Sequence, residues 1–267
     1  MTAKQVNPSE QLSFFQEHGY LIVENLLTEE ECDELNNYAA DVVRGAVRLA
    51  EGNGIWMEPE ALEKGWVTED RPDPDYLFKI GHQMHQTDPV FRYYAMHDKV
   101  CDVLNLLLGP DVKCVQSMYI DKPSNIGVGQ PYHQDSHYLR TEPDTLMAAW
   151  IALDDTDISN GCLHVIPGSQ HDPLHAHEVP LDPAQRKHFL EVYSARERQE
   201  VACELKKGSV VFFPGRLLHR SGNNHTADRK RRSYVCHYAS ARSKWLNQPS
   251  ARNPHLLVRG RQYPGCL

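Results

Sequence analysis

Val112-Lys113-Cys114-Val115-Gln116-Ser117-Met118-Tyr119-Ile120 marks a change of texture in this chain. Before it, apolar residues recur mostly at helical spacing; from it onward they come in short β-prone runs. The stretch itself predicts a strand. So do Thr145-Leu146-Met147-Ala148-Ala149-Trp150-Ile151-Ala152-Leu153, Cys162-Leu163-His164-Val165-Ile166, Ser209-Val210-Val211-Phe212-Phe213 and Ser233-Tyr234-Val235-Cys236-His237-Tyr238. Turn formers such as Ser159-Asn160-Gly161 and Pro167-Gly168-Ser169 separate them. Short strands with turn signals between them point to a sandwich or jelly roll.

Working toward the N-terminus, Ser9 to His18 predicts a helix stopped by Gly19, and Tyr20-Leu21-Ile22-Val23 a short strand. Thr28-Glu29-Glu30-Glu31 matches a capping box that opens a longer helix with the apolar stripe Leu35, Ala39, Val42, Val43 and Ala46. Residues 52–75, rich in Gly, Pro, Asp and Glu, are expected to be loop. Asp98 to Leu108 predicts a helix ended by Gly109-Pro110. Helices come first and strands later. The expected architecture is therefore mainly β with N-terminal helices: one domain over residues 1–267, helical support to about residue 110 and a jelly-roll core over about 111–245. Residues 170–200 are too long and polar for a routine connection and form a candidate lid.

Composition narrows the function classes. Of the 267 residues, 40% are hydrophobic and 24% charged, which suits a packed core. The net charge of −8 argues against a general nucleic-acid or anionic-membrane binder. No run of 18 apolar residues predicts a membrane span. Met1-Thr2-Ala3-Lys4-Gln5 lacks the apolar region of a secretory signal, and Gly265-Cys266-Leu267 is not a peroxisomal tripeptide, so a cytoplasmic protein is expected. The seven cysteines are scattered without a C-x-x-C spacing, as reduced thiols would be.

The chemistry concentrates in His133-Gln134-Asp135 and the distant His219. In a strand, side chains at i and i+2 share a face, so His133 and Asp135 can aim at one point while Gln134 points elsewhere. A second histidine completes two nitrogen ligands and one oxygen ligand, the facial set of non-haem Fe(II) oxygenases, which leaves three positions open. A 2-oxoglutarate co-substrate also needs a guanidinium for its far carboxylate, bound through two parallel hydrogen bonds. Arg231, with the hydroxyl of Ser221 beside it, can supply this from strands near His219. The basic cluster Arg229, Lys230, Arg231, Arg232 is otherwise a solvated turn. His137 and Tyr138 can line a substrate cavity or pack against the lid, while His164, His171, His175 and His177 read as surface or turn histidines.

The ordered blocks His133-Gln134-Asp135-Ser136-His137-Tyr138, Ala149-Trp150-Ile151-Ala152-Leu153, Asn160-Gly161-Cys162-Leu163, Ile166-Pro167-Gly168-Ser169 and His219-Arg220-Ser221-Gly222-Asn223-Asn224 resemble the phytanoyl-CoA dioxygenase family. The resemblance spans roughly residues 10–245 and is strongest across 115–240. It implies a double-stranded β-helix that binds Fe(II), 2-oxoglutarate and O2, with ascorbate as a stimulant. It implies hydroxylation of an unactivated C–H bond in a small-molecule substrate, with release of succinate and CO2. Carried over, His133, Asp135 and His219 match the iron ligands, Arg231 the co-substrate arginine and Ser221 its hydroxyl partner. Arg231 is selected from its basic neighbours by the Cys236-His237-Tyr238-Ala239-Ser240 block that follows. Gln134, Trp150, Met118 and Lys79 match positions that line the co-substrate pocket. The retained Asp135 implies hydroxylation, because halogenating relatives carry a small residue there. The substrate is left open, a CoA thioester included. The rival classes are a ligand-binding jelly roll without turnover, against which the intact triad plus Arg231 speaks, and a cupin-type hydrolase or isomerase, which has no need for Ser221 and Arg231 together.

Overall fold

A computed structural model describes residues 7–247 and 255–267; the signal-peptide reading of Met1 to Gln5 lies outside them. The chain runs α1 (Pro8–His18), β1 (Leu21–Val23), α2 (Glu29–Val43), β2 (Gly54–Met57), α3 (Pro59–Glu63), β3 (Leu77–His82), α4 (Met84–Thr87), α5 (Pro89–Ala95) and α6 (Asp98–Leu108). There follow β4 (Val112–Lys122), β5 (Gln130–His133), β6 (Thr141–Glu142), β7 (Met147–Ala152), β8 (Leu163–Val165), α7 (Pro183–Arg186) and β9 (Val201–Cys203). The last strands are β10 (Val210–Pro214), β11 (His219–Ser221), β12 (Arg231–Ser240), β13 (Lys244–Trp245) and β14 (Leu256–Arg259). A large sheet in the order β1-β10-β7-β12-β4-β3-β2, with β14 on β4, faces a small sheet in the order β5-β11-β8-β9. All the pairings are antiparallel, and the two sheets make the jelly-roll core.

Strand alternation divides each large-sheet strand between two cores. Ile151, Phe212, Tyr234, Cys236 and Tyr238 turn outward, where Leu35, Ala39, Phe91, Tyr94, Val100 and Leu104 of α2, α5 and α6 cover them. Trp150, Val211, Phe213 and Val235 turn inward against Leu163 and Val165 of the small sheet. The helices also fix β12 by direction: Tyr234 Oη donates to the Phe91 carbonyl at 2.8 Å and Tyr238 Oη to the Ala95 carbonyl at 2.9 Å. Thr28 caps α2 through the reciprocal bonds with Glu31 that its capping box predicts, and Gly19 ends α1 with φ at 77°.

Residues 52–75 are not simply loop. They hold β2 and α3, because Gly54 and Ile55 pair with Gly81 and Ile80 of β3. This cross-chain pairing overrides a Gly- and Pro-rich local composition. Residues 170–200 carry α7 and two short 3-10 turns rather than unbroken coil.

Candidate metal centre and co-substrate pocket

His219 sits directly opposite His133 in the antiparallel pairing of β11 with β5. The two imidazole centroids lie 4.1 Å apart. β5 ends at His133, so Asp135 is not a strand residue; it opens a 3-10 turn. Gln134 between them is extended, with φ −123° and ψ 125°, and this returns Asp135 to the His133 face. Asp135 Oδ1 is 3.5 Å from His133 Nε2 and 3.7 Å from His219 Nε2. The three ligand atoms all fall within 4.8 Å, and among the described residues no other three His, Cys, Asp or Glu gather in this way.

The tautomers suit a metal. His133 Nδ1–H donates to the Pro131 carbonyl and His219 Nδ1–H to the Leu217 carbonyl, each at 2.9 Å. Each bond commits Nδ1 and leaves the Nε2 lone pair for a cation. The Gln130 amide points at His133 Nε2 from 2.9 Å. Burial, then the neighbouring His133, pushes His219 down to about 4, so it is neutral at physiological pH. Burial opposes ionisation of Asp135, but the imidazoles gathered round it, His219 and His237 foremost, hold its carboxyl well below the usual range. Two imidazoles with their Nε2 atoms turned to one point and one carboxylate, all buried, fit Fe(II).

His133, Asp135 and His219 line a cavity of about 500 Å³ whose walls include Lys79, Met118, Trp150, Ser221 and Arg231. Arg231 is 2% exposed. Its Nε donates to the Gly161 carbonyl at 3.1 Å, one terminal nitrogen donates to Ser233 Oγ at 2.9 Å, and the guanidinium lies 5.5 Å from the Trp150 ring centre. Burial draws its pKa down to about 10, so the group stays charged at neutral pH. Among the described residues no carboxylate forms an ion pair with it. A buried guanidinium with spare donors and no counter-ion is costly alone and suits a dicarboxylate such as 2-oxoglutarate. Arg232, on the opposite face of β12, is taken by a two-point bond to Asp154, and Arg229 by Asp157 and Ser159.

Several expected positions differ in detail. Ser221 and Arg231 are on strands consecutive in the chain but in opposed sheets, so they face each other across the cavity rather than side by side. The hydroxyl that Arg231 reaches within the chain is Ser233, while Ser221 Oγ accepts from the Gln130 backbone N–H at 3.3 Å. Gln134 does not line the pocket. Strand alternation turns it away, and its side-chain amide bonds the Pro173 and Arg216 carbonyls and the His175 N–H. Lys79 Nζ sits 4.9 Å over the Trp56 ring and 5.8 Å from Phe78, its pKa lowered by burial. Tyr138 lines the cavity, whereas His137 stacks on His177 at 3.9 Å. His164 is buried against Glu200 rather than at the surface.

The sequence reading missed Lys122, Gln130, His82 and His237, which also line the cavity. The signal for His237 was present: Arg231, Ser233, Val235 and His237 alternate on one face of one strand. Lys122 is the register partner of Arg231 on β4, and its Nζ donates to the Val128 and Gly222 carbonyls.

A jelly roll that encloses two histidines, one carboxylate and a buried arginine has the architecture of the Fe(II)- and 2-oxoglutarate-dependent oxygenases. The phytanoyl-CoA dioxygenase family model matches residues 15–233, and the chain belongs to that family. It is 28% identical over 245 residues to the peroxisomal phytanoyl-CoA dioxygenase of Rattus norvegicus, covering 89% of this chain and 70% of the relative. It is 30% identical over 256 residues to phytanoyl-CoA dioxygenase domain-containing protein 1 of Danio rerio, covering 84% and 87%. Solved structures share the fold at lower identity. EctD from S. alaskensis with bound Fe superposes with a TM-score of 0.71 at 21% identity, over 98% of this chain and 90% of that one. The non-heme alpha ketoglutarate dependent carbocyclase SnoK from nogalamycin biosynthesis gives 0.70 at 22%, over 98% and 96%. The protein is thus a 2-oxoglutarate-dependent oxygenase of this family. Among the described residues no helix is long and apolar enough to cross a membrane.

Proposed function

We propose that His133, Asp135 and His219 hold one Fe(II), that Arg231 with Ser221 holds the far carboxylate of 2-oxoglutarate, and that the enzyme hydroxylates an unactivated C–H bond of a small organic substrate, releasing succinate and CO2. The observation that carries this reading is the buried, counter-ion-free Arg231 in the same cavity as the convergent triad. When bound, iron and co-substrate supply the O2 chemistry. The chain's residues do the rest. Nδ1 bonds fix both imidazole planes, and Trp150 supports the guanidinium from one face. Met118 and Lys79 wall the same cavity, with the Lys79 ammonium over the Trp56 ring. Phe78, Tyr138, Phe189 and Leu190 give the remaining wall an apolar and aromatic character that excludes water and suits a small organic substrate.

The test is succinate formation from 2-oxoglutarate under O2, with added Fe(II) and ascorbate, followed by product analysis on candidate substrates. Turnover that needs both iron and 2-oxoglutarate is expected. An iron-loaded protein that consumes no 2-oxoglutarate with or without candidate substrates, and does not bind it, removes the reading.

A further inference from the structure

We propose that His237 is a positioning residue for the metal centre: its Nε2–H holds Asp135 Oδ2, so that only Oδ1 is presented to the metal. The inference rests on the iron site proposed above. His237 Nε2 lies 3.1 Å from Asp135 Oδ2, while the other carboxylate oxygen faces the two ligand imidazoles at 3.5 and 3.7 Å. Facing a carboxylate, Nε2 must be the donor, because two acceptors would repel. The carboxylate is therefore divided, with one oxygen for the cation and one for His237.

The ring is held where this bond needs it. His237 is 2% exposed on β12, paired with Gln116 of β4 on one side and Ala148 of β7 on the other. Those two pairings fix its backbone from both edges. Its Nδ1 is buried without a partner, so the bond to Asp135 is the single hydrogen bond of the ring. A buried imidazole with only this contact is poorly explained as core filling, since an apolar residue would pack there without stranding a nitrogen.

The consequence is a coordination number. Two imidazoles and a one-oxygen carboxylate occupy three positions of an octahedron and leave three, enough for a chelating co-substrate and one more ligand. A carboxylate free to rotate can close both oxygens on the metal and take a fourth position. His237 opposes that rotation through the strand that also carries Arg231, so one element sets both the metal's open positions and the co-substrate anchor.

Co(II), which is inert to O2 over the measurement and has a d–d spectrum sensitive to coordination number, is the probe. The metal-free full-length protein is titrated with Co(II), and separately with Fe(II) under nitrogen, in wild type, His237→Phe, His237→Gln and His237→Asn. Thermal unfolding of the metal-free forms monitors folding. His237→Phe keeps the ring but loses the donor; it should weaken Co(II) roughly 10- to 100-fold, as loss of an outer partner of a ligand does, and alter the d–d spectrum. His237→Gln places an amide N–H near the Nε2 position and should recover most of the affinity and the spectrum. His237→Asn is too short and should behave like His237→Phe. Wild-type Co(II) affinity and spectrum in His237→Phe overturn the proposal. If that variant does not fold, equal affinities in His237→Asn and His237→Gln overturn it instead. A wild-type chain that binds neither metal removes the iron site itself, which is a different failure.

Discussion

Arg231 is the residue on which the functional reading turns, because its charge is buried and its donors are only partly used. Removing one member of a buried charge pair costs on the order of 2–5 kcal/mol. Arg231→Ala should therefore raise the 2-oxoglutarate dissociation constant roughly 30-fold or more, at about 1.4 kcal/mol per decade. Arg231→Lys should restore only part of this, since an ammonium cannot form the two-pronged bond. Iron content should survive both changes, as measured by metal analysis after gel filtration. The neighbours give contrasting controls. Arg229→Ala should be mild. Arg232→Ala should cost about 1–3 kcal/mol of stability through the stranded Asp154, yet leave co-substrate affinity intact in the folded protein. Loss of 2-oxoglutarate binding in either control but not in Arg231→Ala would mean that the wrong arginine has been assigned. Among the proposed ligands, His133→Ala and His219→Ala should each lower Fe(II) affinity by roughly 10- to 100-fold at least; unchanged iron content in both would defeat the triad. These residues were legible because iron ligation and carboxylate recognition demand fixed residue types at fixed spacing. Gln134 was placed on the wrong side because family position was set above the alternation that turns it away from His133. His237 went unseen because its alternation with Arg231 says only that it shares the inward face, and only the folded sheet shows that it meets Asp135.

At the scale of elements, the insertion between β8 and β9 is a braced structure whose tip is more lightly tied, by the Gln185 amide to the Gly129 carbonyl at 3.0 Å and by the exposed pair Lys187–Glu63. Glu178 and Glu191 exchange backbone bonds at 2.8 Å, Val192 N–H donates to the Tyr132 carbonyl, and Arg198 and Arg196 pair with Asp172 and Glu191. The Gln134 amide ties the base at Pro173 and His175. Between these ties, Leu181 is 68% exposed, while Phe189 and Leu190 face the cavity. We therefore expect the moving part of the candidate lid to be this tip, not all of residues 170–200. Trypsin should nick the exposed Arg186 or Lys187 first, and Fe(II) with 2-oxoglutarate under nitrogen should slow the cut several-fold. Cleavage at the same rate in loaded and metal-free protein would make the tip a fixed insertion. Gln134→Ala removes three part-buried hydrogen bonds to the backbone of Pro173, His175 and Arg216, roughly 0.5–1.5 kcal/mol each, and should speed nicking while iron binding persists. Legibility at this scale followed length and local signals. The capping box of α2 and the Gly19 stop of α1 were plain because side chains close in sequence make those bonds. The strands β2 and β3 were not seen as a pair, since β2 has four residues and β3 is buried on both faces without clean alternation. The seven-residue helix α5 is too short to show a period and is fixed by its Asp88 cap and the tyrosines of β12.

Taken whole, the molecule is acidic, at −8, but its cavity is not: Lys79, Lys122, Arg186, Lys187, Arg220 and Arg231 line it and, among the described residues, Asp135 is the one carboxylate that does. That local field favours a dianionic co-substrate despite the overall charge. Burial has a second global effect, on the pH dependence of stability in the metal-free protein. Burial pushes His82, His177 and His255 down to about 4 and His85 to about 3, so all four are neutral in the folded chain. Unfolded, they titrate near about 6.5. Their contribution is thus fully present above that pH and is lost as pH falls from there toward 4, where the unfolded chain binds more protons. Two carboxyls act in the opposite direction. Burial raises Glu58 to about 8 and Asp121 to about 7. Folded, they hold protons that the unfolded chain releases at about 4, so their contribution is present at acid pH and is lost as pH rises through 7 to 8. The two limbs cross between roughly pH 6 and 7 on these values. Urea unfolding at fixed ionic strength should trace a dome with its maximum there, steeper on the acid side where four histidines act against two carboxyls. Glu58→Gln and Asp121→Asn, which keep the neutral form at every pH, should flatten the alkaline limb and steepen the acid limb, where the two carboxyls no longer act against the histidines. Stability that climbs steadily from pH 6 to 9, or an alkaline limb unmoved in the double variant, would show that these two carboxyls are ionised in the folded protein.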